Sequence, residues 1–371
     1  MLAAGTAHAQ AAATSTAVSG RVTEPGGAAL PGMVVQALPS GATACTQAAG
    51  CVSTYSGRDG RYALRGLAPG RYALDVIDGS STMTAADVQI PAAQGSEDSP
   101  RSIQRPLRLG PAAVPLGTAA DHVRRDLRRL NAERARDGLP AGVVKNPRWS
   151  QECAAHDGYE AANHVLAPVE NPVAPGASAG GAWAGRSSVL AQGRWTDAAT
   201  PWENAPVHLL ALLAPSLSVT GIDDTGTDQC VITFPGMLRA APTHDRLTTV
   251  PADGARRVAT SELARETPFT PVQFAGLPAS RPTGRELFVY LNRAGTAGQS
   301  AVRILHATLR RGGHDVAVRV VDSSTRTIGP YLAGGILIPV HPLARATTYR
   351  ATVAVADGDA SLTRSWSFAT R

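Results

Sequence analysis

The sequence predicts a multidomain and mostly β protein, in which two β-sandwich domains flank one α+β domain. Its 371 residues are enough for about two to three domains that each bury their own core. Short apolar runs separated by glycine and proline turns fill residues 17–110 and 265–371, and this spacing is typical of sandwich strands. Apolar residues at helical spacing occur instead in residues 118–235, mixed with strand-like runs and glycine-rich connections, which indicates an α+β domain.

The N-terminal end and the cysteines predict export. Residues 1–16 are rich in alanine and contain an Ala-His-Ala tripeptide close to the A-x-A cleavage pattern, so we expect them to be the remnant of a secretory signal. The sequence has no apolar run of the roughly 18 residues that span a bilayer. We therefore predict a secreted or cell-surface protein, extracellular or periplasmic, without a transmembrane segment.

Four cysteines fall into two pairs, which predicts disulfides in an oxidising compartment. Cys45 and Cys51 are close together in one loop, and Cys153 and Cys230 lie near the two ends of the α+β region. Zinc binding is the alternative for paired cysteines, but the chain contains no C-x-x-C motif. Disulfides are the favoured prediction.

Residues 17–110 carry a specific family resemblance. The runs SGRVTEPGGAALPGMVV and SGRDGRYALRGLAPGRYALDV are similar to the carboxypeptidase regulatory-like domain, a transthyretin-like β-sandwich. Turn glycines and strand tyrosines of the family match Gly20, Gly32, Gly60, Gly70, Tyr62 and Tyr72. We expect these glycines to adopt positive φ and the tyrosines to close a small core. The resemblance implies a non-catalytic module.

Four helices are predicted in residues 118–235 from apolar spacing and capping residues. The first is indicated by Val123, Leu127 and Leu130 with Gly138 at its C-terminal end, and the second begins at a Ser150 N-cap. The third is a short helix after Ser188, and the fourth contains VHLLALL after Pro206. Strands LSVTGI and QCVITF close the region.

The same region resembles the CAP superfamily, which comprises cysteine-rich secretory proteins, antigen 5 proteins, pathogenesis-related proteins and their bacterial SCP-like relatives. The matching pieces are Leu130-Asn131-x-x-Arg134, Gly138-Leu139-Pro140, Ala155-His156, Val169-Glu170-Asn171-Pro172, Ala184-Gly185-x-x-Ser188-Val189-Leu190, and Ala205-Pro206-x-His208-x-x-x-Leu212-Leu213-x-Pro215. The resemblance implies an α-β-α sandwich whose cleft holds two histidines and two acids able to bind a divalent metal.

Carried over by position, the resemblance gives four residues of a cleft or metal site. His208 matches the second histidine of the family, and Glu170 matches the acid that follows the first. Pro168 stands where relatives have the first histidine, and His164 is its nearest substitute. Glu203 is the candidate for the second acid. Zinc or magnesium is the metal that such a set would hold.

Three other patterns in this region point to alternative chemistry. His156, Glu160 and His164 follow i, i+4, i+8 spacing, which aligns three metal ligands on one helix face; otherwise His156 packs in the core while the other two face solvent or cap the helix. Ser178 lies in a G-x-S-x-G pattern, but a nucleophile elbow needs a strand before it and a loop precedes Ser178. Asp223-Asp224 suits calcium or a simple turn cap.

After a polar connector with weak strand signals, residues 236–264, the chain becomes β-rich again. Residues 265–371 resemble bacterial Ig-like domains of cell-surface proteins. The shared signature residues are Pro342, Leu343, Thr348, Tyr349, Trp366, Phe368 and Thr370. The resemblance implies a domain that spaces or binds.

A basic run on the first predicted helix is the densest charge in the chain, which has a net charge of +6. It consists of Arg124, Arg125, Arg128, Arg129, Arg134 and Arg136. No aromatic residues alternate with these arginines, so we predict a solvated helix face and no nucleic-acid partner.

We therefore predict an exported, non-enzymatic CAP-domain protein that binds a small lipid-like or cell-envelope ligand between two β-sandwich spacers. One alternative is a metal-assisted hydrolase of peptides or cell-wall polymers, although a working metal hydrolase is not expected to have Pro168 at its first ligand. The other alternative is a surface adhesion module.

Overall fold

A computed structural model describes residues 16–92, 102–110, 120–196, 200–357 and 360–371. Contacts divide the chain into two compact units, Met1–Pro111 and Ala112–Arg371. The described residues are mostly β-sheet with few helices, so the predicted multidomain, β-rich class is confirmed. No helix in these ranges is long and apolar enough to cross a membrane. The predicted signal remnant, residues 1–16, lies outside the described residues except for Thr16.

The N-terminal unit is a sandwich of two β-sheets whose strands pair mostly antiparallel. Its strands are β1 (Thr16–Thr23), β2 (Val34–Pro39), β3 (Val52–Tyr55), β4 (Arg61–Leu67), β5 (Gly70–Asp78), β6 (Ser81–Ile90), β7 (Ser102–Gln104) and β8 (Leu107–Arg108). One sheet has the order β4-β1-β7, with β8 also paired to β1, and the other has the order β3-β2-β5-β6. Alternate residues such as Val18, Leu64 and Leu74 fill the core between the sheets.

The tyrosines and glycines of this unit explain its sequence pattern. Tyr62 is buried and donates its hydroxyl to the Arg105 carbonyl at 2.7 Å, as expected of a tyrosine that closes a small core. Gly32 and Gly60 have φ of 78° and 79°, as predicted. Gly20 is needed for a different reason: a Cβ there would lie 1.9 Å from the Arg105 carbonyl oxygen. Close approach of two backbones, not positive φ, requires glycine at that position.

The central region combines helices with small sheets. Its elements are α1 (Ala120–Arg136), β9 (Val144–Lys145), α2 (Pro147–Asn163), α3 (Ala179–Ser187), β10 (Ser188–Gln192), α4 (Pro206–Leu212), β11 (Val219–Thr220), β12 (Ile222–Asp224) and β13 (Asp228–Ile232). Three strands form the sheet β10-β13-β12, and β11 pairs with β9. The predicted disulfide Cys153–Cys230 joins α2 to β13, and Cys45–Cys51 closes its loop in the N-terminal unit. Both cysteine pairings are confirmed.

Two predicted helix boundaries in this region are wrong. Helix α2 begins after Asn146, whose side chain accepts hydrogen bonds from the backbone amides of the first turn, whereas Ser150 accepts one from the Ile222 amide. Helix α3 ends at Ser187 and is capped by Ser178, so Ser188 starts a strand instead of a helix. In both cases the side chain that accepts from the free amides of the first turn belongs to another residue, Asn146 for α2 and Ser178 for α3.

Helix α1 does not present its arginines as one solvated face. Arg124, Arg128 and Arg136 are exposed, but Arg134 is fully buried. Arg129 pairs with Asp126 at 2.7 Å and also contacts the Trp195 carbonyl. The prediction fails because α1 is covered on the side that carries Arg129 and Arg134, and main-chain carbonyls there accept their hydrogen bonds.

The rest of the chain forms a second sandwich. Its elements are β14 (Arg246–Val250), β15 (Ala255–Val258), α5 (Pro271–Phe274), β16 (Leu287–Asn292), β17 (Ile304–Arg311), β18 (His314–Val316), β19 (Val318–Val321), β20 (Gly335–Pro339), β21 (Thr348–Asp357) and β22 (Ala360–Thr370). The sheets are ordered β14-β16-β20-β19 and β15-β22-β21-β17-β18. Signature residues Leu343, Tyr349, Trp366 and Phe368 lie in the core between them.

The segment predicted as a connector, residues 236–264, supplies one strand to each sheet of this sandwich. Strand β14 pairs with β16, and β15 runs parallel to β22. Helix α4 is apolar on nearly every side, and Leu210 packs in one continuous core with Tyr290 and Ile336. Tyr290 also donates its hydroxyl to the Leu210 carbonyl at 3.0 Å. The contacts therefore do not divide the chain at the predicted boundary after residue 264.

Candidate functional site

A buried histidine on α2 lies between two glutamates. His156 Nδ1 is 2.9 Å from Glu170 Oε1, and its Nε2 is 3.4 Å from Glu160 Oε1. His156 and Glu160 are at most 1% exposed and Glu170 is 6% exposed. Burial opposes the charged imidazolium, but hydrogen bonds and attraction from Glu160 and Glu170 outweigh it and raise the pKa of His156. We call these three residues the His156 cluster.

The glutamates of the His156 cluster also fix the loop that follows α2. Glu160 Oε1 accepts a hydrogen bond from the Ala167 amide at 2.9 Å, and Glu170 Oε2 accepts one from the Ser178 amide at 2.8 Å. Glu160 is therefore not the solvent-facing residue considered from sequence. The two glutamates therefore anchor the segment that follows α2 through charge-assisted hydrogen bonds at Ala167 and at Ser178.

Helix α3 lies directly against this cluster, and two glycines make the approach feasible. A Cβ at Gly185 would lie 2.4 Å from His156 Cε1, and one at Gly181 would lie 2.3 Å from Glu170 Oε1. Any larger residue would have to displace the imidazole or the carboxylate. Packing on the His156 cluster thus explains why glycine stands at these two positions of the segment AGGAWAGRS. Ser178 is the N-cap of α3 and its hydroxyl accepts from the Gly181 amide at 2.9 Å, as expected of a capping residue.

Next to His156, Asp157 forms a close pair of carboxyl groups with Asp223 of β12. Asp157 is fully buried, and among the described residues neither of its oxygens has a conventional donor. Burial, and then repulsion from and hydrogen bonding to Asp223, raise the pKa of Asp157 to about 10. The pair therefore holds a proton at neutral pH.

We expect Asp157→Asn to make the free energy of unfolding less dependent on pH. The folded pKa of Asp157 lies above its ordinary value of 3.8, so the folded state keeps a proton that the unfolded state releases, and stability falls as pH rises between about 4 and about 10. One such proton is worth roughly 1.4 kcal/mol per pH unit. Urea unfolding at pH 5, 6.5 and 8.5 should show that the variant loses about 3 kcal/mol less than the parent between the last two values.

Asp126→Asn is the matched control for this experiment. Burial, and then Asp224, raise the pKa of Asp126 only to about 6, so its replacement should change the slope below pH 6 and leave it unchanged above pH 7. An Asp157→Asn protein with the parental slope between pH 6.5 and 8.5 would contradict the shared proton.

The second predicted histidine, His208, pairs with an acid outside residues 118–235. Its Nδ1 lies 2.7 Å from Glu266 Oε2, and the same carboxylate accepts from the Val207 and His208 amides at 3.1 and 3.3 Å. Glu266 therefore caps the N-terminal end of α4 while it orients the imidazole. Burial, which outweighs these contacts, raises the pKa of Glu266. The imidazole is partly exposed, at 22%.

The other two predicted residues lie at the surface. His164 is exposed and is the C-cap of α2, with φ of 54°, which agrees with the end-capping alternative. The Glu203 side chain is exposed as well, and its carbonyl accepts from Arg285 Nη1 at 3.0 Å. Arg285 also pairs with the buried Glu262 at 2.6 Å. Neither His164 nor Glu203 joins the histidine–acid pairs described above.

The four predicted residues are thus distributed over separate places: Glu170 contacts His156, His208 contacts Glu266, and His164 and Glu203 face solvent. Across the ranges that the structure describes, no three or more His, Cys, Asp or Glu side chains come together in a group that could hold a metal ion. Glu266 was missed from sequence because it is 58 residues from His208 and belongs to the predicted C-terminal domain. Glu160 was within reach, since i, i+4 spacing to His156 is a visible signal.

The loop held by the His156 cluster exposes an unusual amount of apolar surface. Val165, Leu166, Val169 and Val173 are 37%, 41%, 61% and 87% exposed. Single exposed aliphatic residues are common, but four of them lie here within nine positions of a loop that is anchored by buried glutamates. We call residues 165–173 the apolar loop.

Comparison with known proteins identifies one part of the chain. Residues 17–98 match the carboxypeptidase regulatory-like domain, which agrees with the resemblance seen in the sequence. No curated protein matches the chain. A solved structure of a variant of BcpA, the major pilin subunit of Bacillus cereus, aligns with 96% of this chain and 69% of its own, at 6% identity. Its TM-score of 0.20 is too low to support any argument.

These comparisons assign the N-terminal sandwich to a known domain type and leave the CAP and Ig-like resemblances of the later regions as predictions. The two disulfides are compatible with an oxidising, extracellular environment.

Proposed function

We propose that this is an exported, non-enzymatic binding protein, that residues 118–235 are a CAP-like domain, and that the apolar loop of this domain binds a small lipid-like ligand of the cell envelope. The exposure of Val165, Leu166, Val169 and Val173 is the observation that carries the proposal. Aliphatic side chains held toward water cost free energy unless an apolar ligand covers them.

The attachment of the loop supports a binding role. Asn171 N donates to the Tyr159 hydroxyl at 2.9 Å, and Asn163 Nδ2 donates to the Pro175 carbonyl at 2.8 Å, in addition to the anchors from Glu160 and Glu170. A loop that is already ordered loses little conformational entropy when a ligand binds, which favours affinity.

The burial of the His156 cluster supports the non-enzymatic part of the proposal. A general base must come within hydrogen-bond reach of its substrate. His156 is 0% exposed and both of its ring nitrogens face glutamates, so its contacts serve to hold the loop. Pro168, at the position of a family histidine, lies in the same loop and contributes no ligand to a metal.

The proposal is tested by titrating the purified chain with a fluorescent fatty acid such as cis-parinaric acid. We expect saturable binding, and we expect Val169→Ser with Val173→Ser to weaken it about thirtyfold, because two valine contacts of about 1 kcal/mol each are removed. Both positions are more than half exposed, at 61% and 87%, so the fold should be unaffected.

Leu305→Ser is the matched control, since Leu305 is 52% exposed but lies on β17, outside the apolar loop. Equal weakening by Leu305→Ser, or no binding of the probe by the parent, would overturn the lipid-binding proposal. Zinc bound stoichiometrically after purification and lost on His208→Ala would instead favour the metal-assisted hydrolase.

A further inference from the structure

The outer face of the N-terminal sheet β4-β1-β7 carries an unusual set of side chains. Alternation along β1 and β4 points Ser19, Arg21, Arg61 and Ala63 away from the core, while Val18 and Leu64 are buried. The small side chains Ser19 and Ala63 thus line this face together with the long side chains of the two arginines. The result is an open groove of about 730 Å³.

Two of the arginines are direct cross-strand partners. Arg21 of β1 faces Arg61 of β4 in the antiparallel register. Like charges at directly opposite positions of a sheet destabilise it, so this arrangement needs a compensating anion. Asp59 supplies part of it: its carboxylate lies 3.0 Å from Arg61 Nε, and its carbonyl accepts from Arg21 Nε at 2.7 Å.

The contacts with Asp59 use one guanidinium nitrogen, Nε, of each arginine, and the Arg61 backbone amide also donates to the Asp59 carboxylate at 3.1 Å. In the described part of the chain, no other hydrogen bond or ion pair of either guanidinium is present, and the Arg61 side chain is 81% exposed. The terminal nitrogens of two neighbouring guanidinium groups therefore remain available at the groove. Paired guanidinium donors of this kind match the oxygens of a carboxylate or a phosphate.

The remaining wall of the groove suits a sugar ring. Tyr55 is 54% exposed and lies on this wall, so its ring has a large accessible surface. Gln104 lies across the floor and donates to the Ser19 hydroxyl at 2.9 Å, and Thr54 adds a second hydroxyl. An amphipathic aromatic ring beside amide and hydroxyl groups offers both a stacking surface and directional hydrogen bonds.

We propose that this groove is a binding site for an acidic glycan, in which Arg21 and Arg61 bind a carboxylate or phosphate group and Tyr55 stacks on the attached sugar ring. The site lies in the N-terminal sandwich and is independent of the function proposed for the apolar loop. Through this groove the N-terminal sandwich, which the sequence predicts to be a spacer, would attach the protein to anionic polysaccharide of the cell envelope.

The test uses the full chain and three immobilised polymers: polygalacturonate, which carries carboxylates, a polyglycerol phosphate polymer, which carries phosphates, and neutral dextran. We expect binding to at least one anionic polymer at low salt, with loss near 1 M salt, and no binding to dextran. The polymer that binds more tightly identifies the anionic group. Arg21→Ala and Arg61→Ala should each weaken binding about tenfold, and so should Tyr55→Ala.

Arg65→Ala is the matched control, because Arg65 is an exposed arginine of the same strand, β4, that does not line the groove. It should change the affinity less than about twofold. All four positions are exposed, and unchanged melting temperatures would show that the fold is intact. The proposal is overturned if Arg65→Ala weakens binding as much as Arg21→Ala, if dextran binds equally well, or if single-stranded DNA binds more tightly than both anionic polymers. Self-association that is lost in Arg61→Ala, without polymer binding, would also overturn it in favour of an interface between two copies of the chain.

Discussion

Arg134→Met is expected to lower the free energy of unfolding by about 4 kcal/mol. Arg134 is 0% exposed, and its guanidinium donates to the carbonyls of Pro140, Leu212 and Leu217 at 3.2, 2.7 and 3.3 Å. These bonds tie α1 to the loop that follows it and to the end of α4. Methionine fills a similar volume but leaves the buried carbonyls of Leu212 and Leu217 without a charged donor, at a cost of roughly 1.5 kcal/mol each, and the partly buried Pro140 carbonyl at a cost of about 1 kcal/mol. Chemical denaturation of the purified variant measures the effect.

The control for this variant is Arg136→Met. Arg136 belongs to the same helix but is exposed, so its replacement should change the free energy of unfolding by less than about 0.5 kcal/mol. Equal effects of the two substitutions would show that the Arg134 hydrogen bonds do not hold these segments together. Burial also lowers the pKa of Arg134 to about 10, which still leaves the side chain charged at neutral pH, so the effect should not depend on pH between 6 and 8.

Removing the disulfide between Cys153 and Cys230 by alanine substitution is expected to be similarly costly. The cysteines are 77 residues apart, and restraint of a loop of that length in the unfolded chain is worth roughly 4.5 kcal/mol. The bond is buried and joins α2, which carries His156, to β13. We expect the variant to unfold at much lower urea concentration, with little change in the N-terminal unit.

The second disulfide provides the comparison. Cys45 and Cys51 are only six residues apart in a surface loop, so the same argument gives roughly 2 kcal/mol for their alanine variant. A larger loss from this pair than from Cys153 and Cys230 would contradict the assignment of the longer bond as the main covalent restraint of the central region.

The structure places the two histidines His156 and His208 in separate sites, each with its own acidic partner. Histidines and acids in the central region were grouped as one cleft, but the His156 cluster is closed and serves to order the apolar loop, while His208 is held by Glu266 at the start of α4. The two surfaces that we propose for ligand binding lie elsewhere, at the apolar loop and at the groove beside Arg21 and Arg61. Both surfaces are expected to bind without chemical change.

The prediction from sequence was accurate where a short pattern is sufficient. Period-two alternation with glycine turns identified the strands of the N-terminal sandwich, and cysteine spacing gave both disulfide pairings. Helix α4 was located from VHLLALL after Pro206. Such features depend on neighbours within a few residues, so a single sequence contains them.

Tertiary structure alone decided which polar residues meet. Arg134 looked like part of a basic face, and only the packing of α1 against carbonyls of Leu212 and Leu217 shows that it is buried. Glu266, the partner of His208, lies 58 residues away in the sequence. Strands β14 and β15 lie in the segment predicted as a connector, and each pairs with a different sheet of the second sandwich. The sequence by itself therefore determined the β-rich class and the covalent links, since these follow from local periodicity and cysteine spacing, and its resemblance to a known family gave the N-terminal domain type. The fold decided which charged residues pair, because their partners are distant in the sequence. A charged side chain that is buried away from water needs such a partner to be stable.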